Sequence, residues 1–448
     1  MDNAPLATIG RFWLSVFLKP NFKKVLSNTW WLFADRVLRL VFGLTVGIWV
    51  ARYLGPQQFG LLNYLTAVVA MFASIVPLGL DTIVVRELVQ DSADAGDVLG
   101  TTFLLRAVAG VVVSVVAIAF VAVTPKTTSQ IVLLTTILSL TVLPRAADVF
   151  DLCFQSRMQS KLTVTAKNAG TIIGNLGRIL LIIRSGSLIG FCWVAAIESI
   201  LGAVGLAFTY VLNGDSFRTW GFNWHLARRL LNESWPLILS SMAIVLYMRI
   251  DVVMLRTMAG DTATGIYAAA TRVSEVFYFV PVAITTSVSP LIIGLRKSNE
   301  ELYLHRMSQL FTFFALLALS LSLVTTFAAK FIVNALFGSI FSQAAPILAV
   351  HIWASAFVFL GVAQSPWDVS ENAISYSLFR TIAGAIINIV MNLVLIPHLT
   401  GMGAAIATLV SYAVSGVFAN ALFAKTRPVF KLQMKALTLS GLRETYSR

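Results

Sequence analysis

Residues 31–77, WLFADRVLRLVFGLTVGIWVARYLGPQQFGLLNYLTAVVAMFASIVP, hold two apolar runs, each long enough to cross a bilayer, joined by a short Gly/Pro turn. A hydrocarbon layer of about 30 Å needs roughly 20 apolar residues per helix, so few folds are open to such a chain. The landmarks of this stretch return further on: Trp31 answers to Trp235, Arg52 to Arg256, Gly55 to Gly260, Gly60 to Gly265 and Pro77 to Pro281, at an offset of 204 or 205. Asn175 and Gly190 answer to Asn388 and Gly403 at an offset of 213, the drift expected of loop insertions. A repeat built from membrane-crossing helices is the organisation of a transporter, with a site where the two copies face each other.

Composition agrees: 58% of the 448 residues are hydrophobic and 12% charged, with a mean hydropathy of +0.83, values of a membrane protein. Long apolar runs without dyad alternation select helices over a barrel. The expected fold is an all-α integral membrane protein of about twelve transmembrane helices in two six-helix, parallel-repeat lobes around a central cavity. Residues 1–29 read as an interfacial N-terminal arm, 30–212 as the first lobe, 213–233 as a polar, basic linker, 234–424 as the second lobe and 425–448 as a basic tail at the membrane surface. Six crossings per half is an even number, so both halves enter from the same side and their axis runs along the membrane normal.

The net charge of +13 would suit a nucleic-acid partner, but the placement of the 33 Lys and Arg argues otherwise. With the N-terminus inside, 23 fall in inward loops and tails, five in outward loops (Arg52, Lys126, Arg184, Arg256, Lys330) and five within helices (Arg36, Arg39, Arg178, Arg249, Arg272). That is the positive-inside pattern, which puts both termini in the cytoplasm and assigns the basic residues to anionic lipid heads. The N-terminus does not read as a cleavable signal, because Pro20 interrupts its apolar stretch. Cys153 and Cys192 fit no metal or disulfide spacing and read as packing residues.

Two kinds of residue stand out along the helices. Gly55, Pro56 and Gly60, with Gly260 and Gly265 in the second copy, mark tight turns between the paired helices, and Pro77 and Pro281 mark bends late in the second helix of each copy. Ionisable residues inside the apolar runs are costly, about 3 kcal/mol or more each, and so ask for a reason. Asp35 and Arg39 are spaced i, i+4 and Arg272 and Glu275 i, i+3, spacings that allow pairing on one helix face, whereas Arg249 and Asp251 point apart and need partners elsewhere. Arg36 and Arg178 lie close enough to the helix ends to snorkel outward. Arg39, Arg249, Asp251 and Arg272 are the leading candidates to line a polar cavity between the halves. One reading makes Arg39, Arg249, Arg272, Arg36 and Arg178 the binders of a phosphate or pyrophosphate group, since guanidinium stays charged and its fork of donors matches phosphate oxygens. Asp251, Glu275 and Asp35 would then orient them or accept coupling protons. The other reading makes the same residues structural ion pairs. His351 is either a proton carrier or a histidine satisfied by a neighbouring helix.

No GxxxxGK[ST], HExxH, CxxC or G-x-S-x-G pattern occurs, so ATP hydrolysis and metal or serine chemistry have no visible site. A transporter without cofactor or catalytic centre is expected, driven by an H+ or Na+ gradient or by removal of product on the far side.

The runs ARYLGPQQFGLLNY (51–64), SWP (234–236), GIYAAATRVSE (265–275) and the N-x3-N-x3-IP followed by GAAIATLVSY (388–412) resemble the polysaccharide-transporter family of the multidrug/oligosaccharidyl-lipid/polysaccharide exporter superfamily. The resemblance spans about residues 25–425. It implies alternating access by two lobes and a lipid-linked oligosaccharide as cargo. In such proteins undecaprenyl-pyrophosphate-linked repeat units of O-antigen or exopolysaccharide pass from the cytoplasmic to the periplasmic leaflet of the bacterial inner membrane. Membrane lipids, a polysaccharide polymerase and glycosyltransferases are the implied partners. Two relatives within the superfamily remain as alternatives. A drug or cation antiporter would favour acidic cavity residues, and a lipid II flippase usually carries two further helices. A membrane-embedded glycan polymerase or ligase would need a large outer loop, and a structural assembly factor is a further alternative.

Overall fold

The structure is a computed structural model that describes residues 20–90, 95–125 and 127–438. Most of the expected N-terminal arm, Lys126 and residues 439–448 of the tail lie outside the described residues. The described secondary structure is helical, with no strand among the described residues. Nine helical stretches among them are long and apolar enough to cross a membrane, as the hydropathy pattern requires.

Residues 20–73 are helical with a break at Gly55 (φ 67°), which separates α1 (20–54) from α2 (56–73). Arg39 and Ala70 line the same cavity. A straight helix would hold them on the order of 45 Å apart at ~1.5 Å per residue, so the chain reverses at Gly55. Ile374–Gly416 is broken in the same way at Thr400 (φ 49°). There Asn388 donates to Ser411 across the reversal at 3.3 Å, giving α16 (374–399) and α17 (401–416). Between them run α3 (Asp81–Gln90), α4 (Ala95–Val123), α5 (Ser129–Ser139), α6 (Asp148–Ser156), α7 (Ser160–Ile183), α8 (Leu188–Leu212), α9 (Trp224–Ala259), α10 (Asp261–Glu275), α11 (Phe279–Ser298), α12 (Glu300–Phe337), α13 (Ala344–His351), α14 (Ala354–Ala363) and α15 (Ser365–Ser370), and α18 (Arg427–Leu437) closes the series. With the two broken stretches read as hairpins the nine become eleven, and α7, the remaining long helix, is not among those apolar enough to cross. It carries Lys161, Lys167 and Arg178.

Local chemistry sets the helix ends. The side chain of Asn223 accepts from the Leu226 amide at 3.2 Å at the start of α9, and Asn299 accepts from Leu302 at 2.9 Å at the start of α12. Both satisfy amides that a helix start leaves free. Helix α9 therefore begins at Trp224, inside the stretch expected to be linker. Pro77 does not bend a continuing helix: α2 ends at Ala73 and Pro77 stands in a turn before α3. The Ala73 carbonyl, which a residue with an N–H at position 77 would have bonded, accepts instead from the Val76 amide at 3.2 Å and the Arg145 guanidinium at 3.5 Å. Pro281 sits in the first turn of α11, where a missing N–H costs nothing, and the bend falls before it in the 3-10 turn Val276–Tyr278.

The two hairpins meet at their turns. A Cβ on Gly60 would stand 1.8 Å from the Asp261 carbonyl oxygen, and one on Gly265 would stand 1.9 Å from that of Pro56. At the offset of 205, Gly60 matches Gly265 and Pro56 matches Asp261, so the two contacts are images of each other. That reciprocity places a local two-fold axis between the hairpins. Both turns lie at the same end, so the axis runs along the helices. The buried core follows this plan. One cluster draws on both halves around the turns, with Val46, Phe59 and Leu65 alongside Val252, Ile266 and Tyr267. A second is built only from the first half and the start of α9, and a third only from residues of the second half and α18. The halves thus share a core at the turn end, and each has its own core toward the opposite end.

Part of the basic tail is α18, docked on the fold. Val429 and Ala436 are buried beside Met307 and Leu310, while Arg427, Lys431 and Lys435 stand on its exposed face.

Candidate functional site

Arg272, on α10, reaches out of the second half into the first. Its guanidinium lies over the ring of Phe59 on α2, 5.3 Å from the centroid. It also lies so close to α1 that a Cβ on Gly47 would stand 2.1 Å from Nη1. A glycine at 47 is what makes room for it. No carboxylate lies within ion-pair distance of Arg272 among the described residues.

Arg272 faces a cavity of about 440 Å³ otherwise walled by the first half. Arg39 enters it from α1, with Nε on Asp35 at 2.9 Å and Nη1 donating to Thr171 at 3.2 Å. Arg178 enters from α7, with Nη2 on Glu198 at 2.6 Å and Nη1 donating to Asn175 at 3.2 Å. Arg145 completes the set from the 3-10 turn after α5, and it too has no carboxylate within ion-pair distance among the described residues. Asn63, Thr66 and Thr141, which donate to the carbonyls of Phe59, Leu62 and Leu138, add neutral polar groups, and Phe42, Leu62 and Leu138 an apolar wall. Of four guanidiniums two are balanced, by Asp35 and Glu198, and two are not. The site therefore holds two unbalanced positive charges under a low-dielectric wall, where a charge interacts more strongly than in water.

The cavity continues toward the end opposite the turns. An adjoining space of about 260 Å³ shares Arg39, Arg145, Thr171 and Glu198 and reaches Lys167 and Asp148. A third, of about 420 Å³, shares Lys167 and Asp148 and reaches Asp81 and Arg106. Lys167 is paired with Asp148 at 2.8 Å and Asp151 at 3.3 Å, and Arg106 with Asp81 at 2.6 Å. The result is a polar track of paired charges leading to the arginine cluster.

The other candidates lie elsewhere. Arg249 is 41% exposed and does not line the cavity; its Nη1 is 3.9 Å from Glu275. The pair expected on one helix face, Arg272 with Glu275, is not formed. Glu275, the last residue of α10, faces Arg249 on α9 instead. Asp251 is buried and orients no arginine in the cavity. It accepts from the Tyr267 hydroxyl and from the Val252 amide at 2.8 Å, and Tyr267 in turn lies 3.2 Å from Thr408. Arg36 is exposed, away from the cavity. His351 is buried with Nδ1 2.7 Å from the Ser274 hydroxyl, a satisfied core histidine.

Arg145, Arg106 and Lys167 line these spaces and are not among the residues that the sequence singles out. Arg106 falls well inside an apolar run, so the depth argument that singled out Arg272 would have found it. Arg145 follows Pro144 and reads as a helix end, and only the 3-10 turn aims it at the cavity.

Residues 25–295 match the family described as Polysaccharide biosynthesis protein. No curated protein matches the chain. Among solved structures, an inward-facing multidrug resistance MATE family transporter of the MOP superfamily is similar over 91% of this chain and 96% of its own, at 14% identity and a TM-score of 0.70. Lipid II flippase MurJ in an inward closed conformation is similar over 94% of this chain and 93% of its own, at 12% identity and a TM-score of 0.67. A MOP superfamily transporter from Pyrococcus furiosus, described by the reverse polarity of its binding pocket, is similar over 94% and 95%, at 13% identity and a TM-score of 0.61. Likeness at these identities establishes the fold: that of multi-pass membrane transporters.

Proposed function

Since the chain belongs to the polysaccharide biosynthesis protein family, we propose that it is a flippase for undecaprenyl-pyrophosphate-linked oligosaccharide repeat units. It carries them from the cytoplasmic to the periplasmic leaflet of a bacterial inner membrane by alternating access, for O-antigen or exopolysaccharide synthesis. The observation that carries this reading is the pair of unbalanced guanidiniums, Arg272 and Arg145, beside the balanced Arg39 and Arg178. A pyrophosphate diester brings two negative charges on oxygens that accept a forked donor. An organic cation would need the opposite balance.

Direction follows from the closed turn end and the polar track toward the opposite end, which the positive-inside pattern assigns to the cytoplasm. Cargo enters along Arg106 and Lys167, its phosphates compete with Asp35 and Glu198 for their arginines, and Arg272 closes over them from the second half. Binding that draws on both halves favours the state in which the halves meet around the cargo. Glu275, held by Arg249 at a distance too long for a hydrogen bond, is the acid best placed to take a coupling proton.

The test is export of the polymer in a producing cell. Arg272→Glu should abolish surface polymer and leave lipid-linked repeat units facing the cytoplasm, with normal amounts of protein in the membrane. Unchanged export would sink the assignment. Competition by organic cations but not by isoprenyl pyrophosphates would point to a cation antiporter.

A further inference from the structure

The second half holds a cavity of about 530 Å³ that a pyrophosphate site leaves unused. It is walled by α9, α11, α14, α15, α16 and α17, which belong to the same five crossings of the repeat as the walls of the arginine cavity. The duplicated hollow has acquired different chemistry. Three tyrosines cluster in its wall, Tyr247 and Tyr412 with ring centroids 5.0 Å apart and Tyr278 and Tyr412 6.4 Å apart. Its opposite charges, Asp368 and Arg380, neutralise each other at 2.7 Å. Aromatic faces beside hydroxyl groups, with no unbalanced charge, suit a pyranose, whose C–H face packs on rings while its hydroxyls exchange hydrogen bonds.

A second observation points to a ligand. The hydroxyls of Tyr278 and Thr285 are buried without a hydrogen-bond partner, and both residues line this cavity. A buried hydroxyl left unpaired costs about 1–3 kcal/mol, which a ligand hydroxyl would recover once rotation of the two side chains turns these covered oxygens into the cavity. The two cavities also share one crossing. Along it Tyr278 lies roughly 9 Å and Thr285 roughly 20 Å beyond Arg272 at ~1.5 Å per residue. The loose Arg249–Glu275 pair stands between them on that path.

We propose that the second-half cavity is the glycan subsite, taking uncharged pyranose residues while the arginine cavity holds the phosphates to which they are attached. This rests on the pyrophosphate reading given above. The test uses the full-length protein in lipid nanodiscs with two probes, farnesyl pyrophosphate and its ester bearing one N-acetylglucosamine. Wild type should bind the sugar-bearing probe about tenfold more tightly. Tyr278→Phe and Thr285→Val, which remove only the unpartnered hydroxyls and keep the packing, should together erase that advantage and leave farnesyl pyrophosphate binding within about twofold. Retention of the advantage in the double variant, or its absence in wild type, overturns the subsite. If instead Arg272→Ala weakens neither probe while the sugar advantage persists, the pyrophosphate reading fails and the glycan subsite stands.

Discussion

A guanidinium held at membrane depth without a carboxylate is stable only where something else solvates it. Arg272 has the face of Phe59, the backbone of α1 at Gly47 and the open cavity. Gly47→Val is therefore an informative change. The atom its Cβ would meet is the tip of a flexible side chain, so the fold accommodates it by swinging Arg272 aside. Polymer export should fall severalfold or more, while denaturant unfolding in micelles shifts by less than about 1 kcal/mol; a large stability loss with export intact would show that Arg272 serves packing. Tyr267→Phe should do the reverse. It leaves the buried Asp251 carboxylate with the Val252 amide as its remaining donor among the described contacts, so stability should drop by about 1–3 kcal/mol with farnesyl pyrophosphate affinity unchanged. Weaker binding would place Asp251 in the site after all. At this scale the sequence was legible where one helix face decides the outcome, as for Asp35 and Arg39. It is silent where a neighbouring helix decides, since nothing local to Glu275 says that Arg249 of α9 faces it while Arg272 reaches across to the first half.

The turns of the hairpins carry a local signal. Gly55 and Gly260 take up φ of 67° and 89°, which side chains with a Cβ rarely adopt. What the spacing did not reveal is that Gly60 and Gly265 serve close approach: each packs on a carbonyl of the other hairpin. Gly60→Val should hold the turn ends apart. The expected readout is faster maleimide labelling of Asn63→Cys from the turn side when it is combined with Gly60→Val, and unchanged labelling would show that the turns already part freely. The tail was legible only in its charge. Its basic face is real, but Gln433 on the other face is buried, accepting from Asn420 at 3.0 Å and donating to the Gly416 carbonyl at 3.0 Å. Gln433→Leu should therefore cost about 1–3 kcal/mol by leaving those groups unpaired, measured by denaturant unfolding; no change would mean α18 is merely adsorbed.

Across the whole molecule, two copies of one helical plan have kept their symmetry where they touch and lost it where they line cavities. The turn-end contacts are images of each other, while the first half carries three of the four cavity arginines and the second half contributes Arg272 and a tyrosine-lined hollow. A shared core at one end and separate cores at the other is the arrangement that the proposed alternating access would need for the halves to pivot as units. The sequence announced the duplication through its glycines and prolines, but divergence of the cavities lies in residues with no counterpart at the repeat offset. The most direct measurement is equilibrium binding of farnesyl pyrophosphate to the full-length protein in nanodiscs, wild type against Arg272→Ala. A cationic cavity completed by Arg272 predicts affinity weaker by about 10- to 100-fold in the variant, the loss of a charged hydrogen-bond partner. Equal affinity in the two proteins would contradict it.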